Sequence, residues 1–248
     1  MSRHKRTGWL FENNLFRITN TENKTFNGMT YQVIIMEKGH HHHDPGEFTA
    51  RMQKCGVPSQ IQEYMIRCTE FHTAPAPGVL IGTFMVDYAL ELLGATPEEK
   101  LFAVCETPKC LPDTLQTIAH STTGNGRLTV LPIGKFAITV NRASDSSHTE
   151  GVRVWVDGEK LKKFPIIDMW YANSPQYQKH TMGNNLQEEI FRAKREILSN
   201  EKVRVPVTGK MKWKPVTCPS CGESVPDYLV VDGKCAACSS KKYYETIR

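Results

Sequence analysis

The feature that most constrains the fold is a long apolar stretch at residues 78–93. Leu80, Phe84 and Leu93 recur at helical spacing, and no proline interrupts the stretch. Gly94 follows it directly, in the position where a helix commonly ends. Apolar residues leave little polar face, so we predict a helix buried inside a domain. The helix is too short and too punctuated to cross a membrane.

A stiff loop is predicted directly before this helix. Pro75 and Pro77 fix their own φ angles and hold the residues before them extended. We therefore expect His72 to be held on this loop near the start of the helix, where backbone N–H groups point outward. This is a suitable place for chemistry, and a hydrogen-bonded core histidine is the alternative interpretation.

Size and composition indicate a soluble globular protein. The 248 residues suffice for one large domain or for a core with a small module, and 40% hydrophobic and 23% charged residues are ordinary values. The first 14 residues lack the apolar run of a signal peptide, and no later stretch reaches transmembrane length, so we expect a cytoplasmic protein. In that compartment the eight cysteines are predicted to be metal ligands or reactive thiols rather than disulfides.

Changes in composition divide the chain into four predicted segments. They are an N-terminal arm at residues 1–30, a core at 31–207, a polar and basic linker at 208–217 and a zinc-ribbon domain at 218–248. The arm has no sustained periodicity. In the core, helices and strands mix without strict βαβ alternation, so we predict an α+β fold with a mixed, largely antiparallel sheet packed on the buried central helix.

Helical and alternating apolar patterns place the other elements of the core. Helices are predicted over residues 47–55, 58–69, 112–120 and 186–198. Strands are predicted over residues 31–36, 101–105 and 202–207. Three further β-rich runs, at residues 127–133, 135–141 and 152–157, are expected to form an antiparallel meander.

The C-terminal segment carries the spacing of a metal site. Cys218 and Cys221 form one C-x-x-C pair, and Cys235 and Cys238 form a second after thirteen intervening residues. Four thiolates in this pattern bind tetrahedral Zn²⁺, and a closed shell of four has a structural role. A rubredoxin-like iron centre uses the same ligands. The residues between the pairs predict a hairpin that turns at Asp232-Gly233, and so short a segment needs the metal to fold.

A second candidate site lies in the core. Cys105 and Cys110 flank the loop between a strand and a helix, where a thiolate is stabilised and ligands often bind. If this strand packs beside the central helix, Cys110 and His72 would lie close together and could supply half of the ligands of a metal site. Completing ligands would come from Cys105, Glu106, His120 or the histidine run. The alternative is two buried thiols and a hydrogen-bonded histidine.

The histidine run consists of four consecutive residues inside the chain: His40, His41, His42 and His43. An expression tag would sit at a terminus, so the run is read as part of the protein. A solvated loop that binds metals adventitiously is one interpretation. The other is that one or two imidazoles enter a metal site, because imidazole suits zinc, nickel, copper and iron.

Landmark residues of the core occur in an order and spacing typical of a known family. They are Phe71-His72, Pro77-Gly78, Gly82, Cys110-x-x-Asp113-x-x-Gln116, Thr122-x-Gly124-x-Gly126 and Gly134-Lys135. Over roughly residues 69–204 this pattern resembles the formylmethanofuran dehydrogenase FmdE family, some members of which carry a C-terminal ribbon. The resemblance implies an α+β core that forms a homodimer, a metal-binding pocket near the start of the central helix, and an operon association with molybdenum or tungsten formylmethanofuran dehydrogenase.

The chain departs from the family motif at two expected ligands. The motif reads F-H-G-H-x-C-P-G, and here Ala74 replaces the second histidine and Ala76 replaces the cysteine. His72 and Cys110 remain, which is too few for a closed shell. Either the core site has lost its metal, or other residues replace the missing ligands. A set of ligands that leaves a coordination position open suits a catalytic or redox metal, or a haem-type cofactor.

Three functions follow from these features. The first is a cytoplasmic metal- or cofactor-binding protein of the FmdE kind, with a metalloenzyme partner, in anaerobic one-carbon or metallocofactor metabolism. The second is a ribbon-based adaptor for nucleic acid or protein, although the net charge of +5 is small for nucleic-acid binding. Its expected contact residues are Lys210, Lys212, Trp213, Lys214, Lys241 and Lys242. The third is an enzyme in which Cys110 or Cys105 is the nucleophile and His72 the base.

Overall fold

A computed structural model describes residues 16–26, 29–38, 45–207, 213–242, 244–245 and 247. The chain divides into two compact units. The larger comprises Met1–Arg142 and Gly151–Val203, and the smaller comprises Ala143–Glu150 and Arg204–Arg248. Among the described residues, no helix has both the length and the hydrophobicity needed to cross a bilayer.

The first described residues form an antiparallel hairpin. Strand β1 (Phe16–Phe26) pairs with β2 (Met29–Lys38), and a register shift lies between Ile18 and Asn20. The predicted strand at residues 31–36 is part of β2. Strand β1 was not predicted, because its many polar residues hide the alternation that marks a half-buried strand.

Three helices build the centre of the larger unit: α1 (Pro45–Lys54), α2 (Ser59–His72) and α3 (Pro77–Leu93). Helix α3 is the predicted apolar helix, and its side chains are buried over most of its length. It ends at Gly94, whose φ of 62° is the left-handed conformation that glycine adopts without strain. The helix packs against α2, against one face of the sheet and against the two later helices described below.

The sheet has five strands in the order β4-β3-β5-β6-β7. Its members are β3 (Leu101–Cys105), β4 (Leu128–Val130), β5 (Ala137–Arg142), β6 (His148–Val156) and β7 (Leu198–Pro206). Strand β5 is antiparallel to both β3 and β6, whereas β3 and β4 are parallel. The predicted α+β class with a mixed, largely antiparallel sheet on a buried helix is therefore confirmed.

The predicted meander was wrong in one respect, because β4 pairs with β3 instead of β5. Helix α4 (Leu111–Ile118) connects β3 to β4 as a crossover, and a crossover returns the chain parallel to the strand it left. The loop after β4 is then held at the end of β3, since Leu131 N–H donates to Cys105 O and Gly134 N–H donates to Glu106 O. Strand β5 consequently enters the sheet on the opposite side of β3.

Three helices fill the segment between β6 and β7: α5 (Gly158–Leu161), α6 (Pro165–Tyr171) and α7 (Lys179–Ala193). The first two were not predicted. Helix α7 begins seven residues before the predicted start at 186 and ends at Ala193, directly before Lys194, which has a φ of 49°. Ile197 and Leu198 are buried like the apolar face of α7, but they lie beyond the helix, in a turn and at the start of β7.

The smaller unit contains two short antiparallel hairpins. Strand β8 (Pro215–Thr217) pairs with β9 (Ser224–Pro226), and β10 (Val230–Val231) pairs with β11 (Lys234–Cys235). The second hairpin turns at Asp232 and Gly233, which both have positive φ, as predicted. Strand β8 lies within residues 208–217, the stretch that the sequence assigns to a linker.

Candidate metal centres

His72 is the last residue of α2 and lies before the proline loop on which it was expected. The chain leaves the helix at Thr73, which adopts a left-handed conformation with a φ of 68°. The two prolines therefore do not position the imidazole directly. The helix end does, and the His72 side chain is 25% exposed.

Cys110 occupies a strained turn at the start of α4. Its φ of 56° and ψ of −54° form a γ-turn, in which Leu111 N–H donates to Lys109 O over 2.6 Å. Turns of this hand are rare and cost free energy. Residues held in such conformations cluster at functional sites, so the turn supports a role for this cysteine beyond packing.

Gly78 brings Cys110 against the beginning of α3. A Cβ atom added at Gly78 would lie 2.8 Å from Cys110 Sγ and 3.2 Å from the ring of Phe136. The absence of a side chain therefore lets the sulfur approach the first turn of α3. Phe136 in turn makes an edge-to-face contact with Tyr171, with the ring centroids 6.3 Å apart. The ring of Phe136 lies on the same side of Gly78 as the sulfur, which the sequence did not predict.

Asp113 joins the two predicted core residues. Its Oδ2 lies 2.6 Å from His72 Nδ1, and its charge also acts on the nearby thiol of Cys110. Burial first, and then this carboxylate, raise the pKa of Cys110. The sequence pattern marked Asp113 three residues after Cys110 but did not show that it contacts His72, which is 41 residues away.

The other candidate ligands of the core have different partners. Cys105 donates from its thiol to Thr107 O over 3.0 Å, and burial raises its pKa to about 11. Glu106 accepts two hydrogen bonds from Arg153, at 2.6 and 3.0 Å, and this guanidinium lowers the pKa of Glu106. A thiolate at Cys105 is thus disfavoured, and the negative charge of Glu106 is already balanced by its ion pair with Arg153.

The histidines predicted to complete the core site are His120 and the histidine run. His120 is exposed and lies beyond the C-terminal end of α4, whereas Cys110 precedes its first turn. The run His40, His41, His42 and His43 lies outside the described residues.

The four C-terminal cysteines form a cluster in the smaller unit. The sulfur atoms of Cys218, Cys221, Cys235 and Cys238 all lie within 4.8 Å of one another. In the described part of the chain, this is the one group of three or more His, Cys, Asp or Glu residues with ligand atoms so close. The β8–β9 turn carries the first pair, and the second begins at the end of the β10–β11 hairpin.

The geometry of the cluster suits a tetrahedral metal ion. Four sulfurs at about 2.3 Å from a metal are about 3.8 Å apart in a tetrahedron, and Cys221 Sγ lies 3.9 Å from Cys235 Sγ. Backbone N–H groups also point at the sulfurs, because Cys235 N donates to Cys218 Sγ and Cys238 N donates to Cys235 Sγ, each over 3.4 Å. These donors stabilise thiolate ligands.

The thiols of the cluster influence one another's ionisation. The backbone N–H of Cys235 lowers the pKa of Cys218 to about 6, whereas the hydrogen bond with Cys235 raises the pKa of Cys238 to about 12. One thiolate therefore forms readily and opposes the formation of others nearby. A divalent cation removes this repulsion, so the cluster is a metal-binding arrangement.

A family model described as "FmdE, Molybdenum formylmethanofuran dehydrogenase operon" matches residues 71–205, more than half of the chain. The chain belongs to the FmdE family. The match contains His72, Cys110 and Asp113, whereas the cysteine cluster lies beyond its end.

The chain is also similar to two individual proteins. A crystal structure of a tungsten formylmethanofuran dehydrogenase FmdE-like protein from Syntrophus aciditrophicus shares 37% identity and superimposes with a TM-score of 0.64, covering 75% of this chain and 95% of that one. A probable S-adenosyl-L-methionine-binding protein of Archaeoglobus fulgidus is 29% identical over 77% of this chain. The chain spans 56% of that relative's length.

The two alanines at the positions of the family's expected ligands lie between α2 and α3. Ala74 is exposed in the loop between α2 and α3, and Ala76 is the residue that precedes the first turn of α3. Ala76 is thus two residues from Gly78, where the sulfur of Cys110 approaches.

Proposed function

We propose that this FmdE protein binds two metals with different roles. A zinc ion in the cysteine cluster stabilises the ribbon, and a second metal, or a cofactor that contains one, binds at His72 and Cys110 in the core. The observation that supports the core proposal is that Asp113 lies 2.6 Å from His72 while its charge also acts on the strained Cys110, whose sulfur approaches the first turn of α3.

The choice of zinc for the ribbon follows from its ligands. Four thiolates complete a tetrahedral shell, which leaves no position for substrate and suits a structural zinc ion. A tetrathiolate iron centre would be the alternative, and its charge-transfer absorption distinguishes it from colourless zinc.

The donors of the core suit a different kind of site. Imidazole nitrogen and thiol sulfur favour late transition metals over magnesium or calcium. Two such donors leave coordination positions open for a substrate, a water molecule or a larger cofactor. The ring of Phe136, which lies beside Gly78 as the sulfur of Cys110 does, would shield one side of that ligand from water.

The family suggests the setting in which such a site works. The description of the FmdE model names an operon for molybdenum formylmethanofuran dehydrogenase, so we propose a role in anaerobic one-carbon or metallocofactor metabolism. We also propose a cytoplasmic homodimer that serves a metalloenzyme partner. S-adenosylmethionine binding is not part of this proposal, because the chain spans only 56% of the relative that bears that name.

Metal content per chain tests the proposal. The protein is purified without nickel resin, because the histidine run would collect nickel, and its metals are counted by mass spectrometry. We expect two metal ions per chain in the wild type and one in His72→Ala and in Cys110→Ala, with thermal unfolding still cooperative. The matched controls, His148→Ala and Cys55→Ala, change residues outside the site and should keep two. An unchanged count in both site variants would contradict the core proposal.

Restoring the family's missing ligands should strengthen the core site. We expect the double variant Ala74→His/Ala76→Cys to bind the core metal at least tenfold more tightly, because each added donor replaces a water molecule in the shell. Competition with a coloured chelator measures the affinity, and Ala74→Ser/Ala76→Ser is the control of similar polarity. Equal affinity in the wild type and the double variant would show that the alanines do not border the metal.

The ribbon also supports a second candidate function, an adaptor. Trp213 is 54% exposed and Tyr228 is 51% exposed, so the smaller unit presents large aromatic side chains to solvent. Such residues bind protein partners or stack on single-stranded nucleic acid. This function would replace the first if the core holds no metal. The thiol-enzyme alternative is weaker, because the pKa values of Cys105 and Cys110 are both raised.

A further inference from the structure

The contact between His72 and Asp113 has a consequence for the chemistry of the imidazole. We infer that Asp113 is a positioning residue that fixes His72 in the tautomer with its proton on Nδ1, so that Nε2 is the nitrogen that binds the ligand. The inference rests on the proposed function of the core site.

The tautomer follows from the chemistry of the two groups. An ionised carboxylate only accepts hydrogen bonds, so the nitrogen 2.6 Å from Asp113 Oδ2 must carry a proton. In a neutral imidazole the other nitrogen, Nε2, then has the free electron pair. Histidines that bind metals commonly donate their second N–H to a carboxylate in this way, which orients the ring and makes the ligating nitrogen more basic.

Asp113 is itself held by a rigid element. It lies in the first turn of α4, its N–H donates to Cys110 O over 3.1 Å, and Thr117 Oγ donates to its carbonyl over 2.7 Å. Buried Leu111 and Leu115 fix that helix in the core. A carboxylate on a packed helix holds its partner more precisely than one on a loop does.

A purely structural role for Asp113 is the competing explanation, because its contact also joins α2 to α4. The chain offers a matched control for this possibility. Arg67 on α2 donates to the carbonyl of Thr117 on α4 over 3.0 Å, which joins the same two helices without involving the imidazole. Arg67→Ala therefore removes a comparable link and leaves the tautomer of His72 alone.

Nuclear magnetic resonance of the metal-free full chain reads the tautomer directly. Long-range ¹H–¹⁵N spectra of ¹⁵N-histidine-labelled protein are recorded at mildly alkaline pH, and the signal that disappears in His72→Gln assigns the residue. We expect a proton on Nδ1 in the wild type, in Arg67→Ala and in Asp113→Glu. In Asp113→Ala we expect a shift towards the form protonated on Nε2. A wild-type ring protonated on Nε2, or an unchanged tautomer in Asp113→Ala, would overturn the inference.

Metal binding provides the second readout. The affinity for cobalt(II), measured by its absorption bands, should fall about 10- to 100-fold in Asp113→Ala, the range seen when a group that orients a metal ligand is lost. Arg67→Ala should retain the affinity. Equal losses in both variants would indicate a structural role and contradict the inference. If the wild-type core binds no cobalt, the proposed function fails, while the tautomer measurement still decides whether Asp113 orients His72.

Discussion

Replacing Cys235 with serine is expected to unfold the small C-terminal unit while the larger unit remains folded. In the described part of the small unit, the buried side chains are those of Cys218 and Cys235, so its interior is the metal cluster itself. Its strands are two or three residues long and its hairpins cannot be stable alone. Metal binding must therefore supply most of the folding free energy of this unit.

The size of this effect follows from the metal. Structural zinc contributes about 10–16 kcal/mol to the folding of small zinc domains at neutral pH, which is as large as the total stability of an ordinary domain. Removing one thiolate of four leaves an incomplete shell, so the unit loses its metal and its fold together. Chelation of the wild type should have the same result.

Limited proteolysis and amide NMR signals measure this outcome. Cys235→Ser should become sensitive to protease after about residue 207 and lose one metal ion per chain, with an unchanged melting temperature of the larger unit. Cys55→Ser, which lies outside the cluster, is the control and should be protected like the wild type. Full protection of the ribbon in Cys235→Ser would show that the cluster is not its core.

Replacing Gly82 with valine should destabilise the larger unit by about 1–3 kcal/mol, the usual range for overpacking a core. A Cβ atom at Gly82 would lie 2.9 Å from Leu111 Cδ2 and 2.9 Å from Thr114 Cγ2. Neither neighbour moves easily, because both are fully buried and the Thr114 hydroxyl donates to Leu111 O. Helix α4 must shift, and with it Cys110 and Asp113.

Gly183 in α7 is the matched control for this helix glycine. No atom lies within 4 Å of a Cβ added there, so Gly183→Ala should stabilise the protein by about 0.5–1 kcal/mol through helix propensity alone. Urea unfolding followed by circular dichroism gives both free energies. A Gly82→Val variant as stable as the wild type would mean that α3 and α4 do not pack closely.

Local patterns predicted the elements that depend on local physics. The apolar helix α3 and its end at Gly94 follow from helical spacing and the conformational freedom of glycine. Strand β3 and the turn at Asp232-Gly233 were predicted for similar reasons. The order of the strands in the sheet was not predicted, because hydrophobic alternation identifies a strand but does not show which other strand it pairs with. The end of α7 was also missed, since Ile197 and Leu198 continue its apolar spacing although Lys194 ends the helix.

In the candidate site, too, the features that depend on local sequence were predictable and those that depend on tertiary packing were not. The cysteine cluster is predictable because its four ligands come in two local pairs with a known spacing. The joint site at His72 and Cys110 stays a prediction, and the structure adds Asp113, which contacts the imidazole and whose charge acts on the thiol. The pairing of His72 with Asp113 depends on how α2 packs on α4, and the approach of Cys110 to α3 depends on the missing side chain of Gly78. Neither of these contacts can be recognised from the spacing of residues along the sequence.

The position of β3 between β4 and β5 in the sheet has a consequence for the order of folding. Strands β5 and β6 are close in sequence and can pair as a local hairpin, whereas β3 reaches β5 only after a long loop containing α4 and β4 has closed. Longer loops cost more chain entropy, and non-local pairs form more slowly. We expect the hairpin to form first and to expose the edge of β5 until β3 arrives. During that interval the nascent chain is most prone to aggregate, since an open edge with apolar residues such as Ile138 and Val140 is a template for another chain.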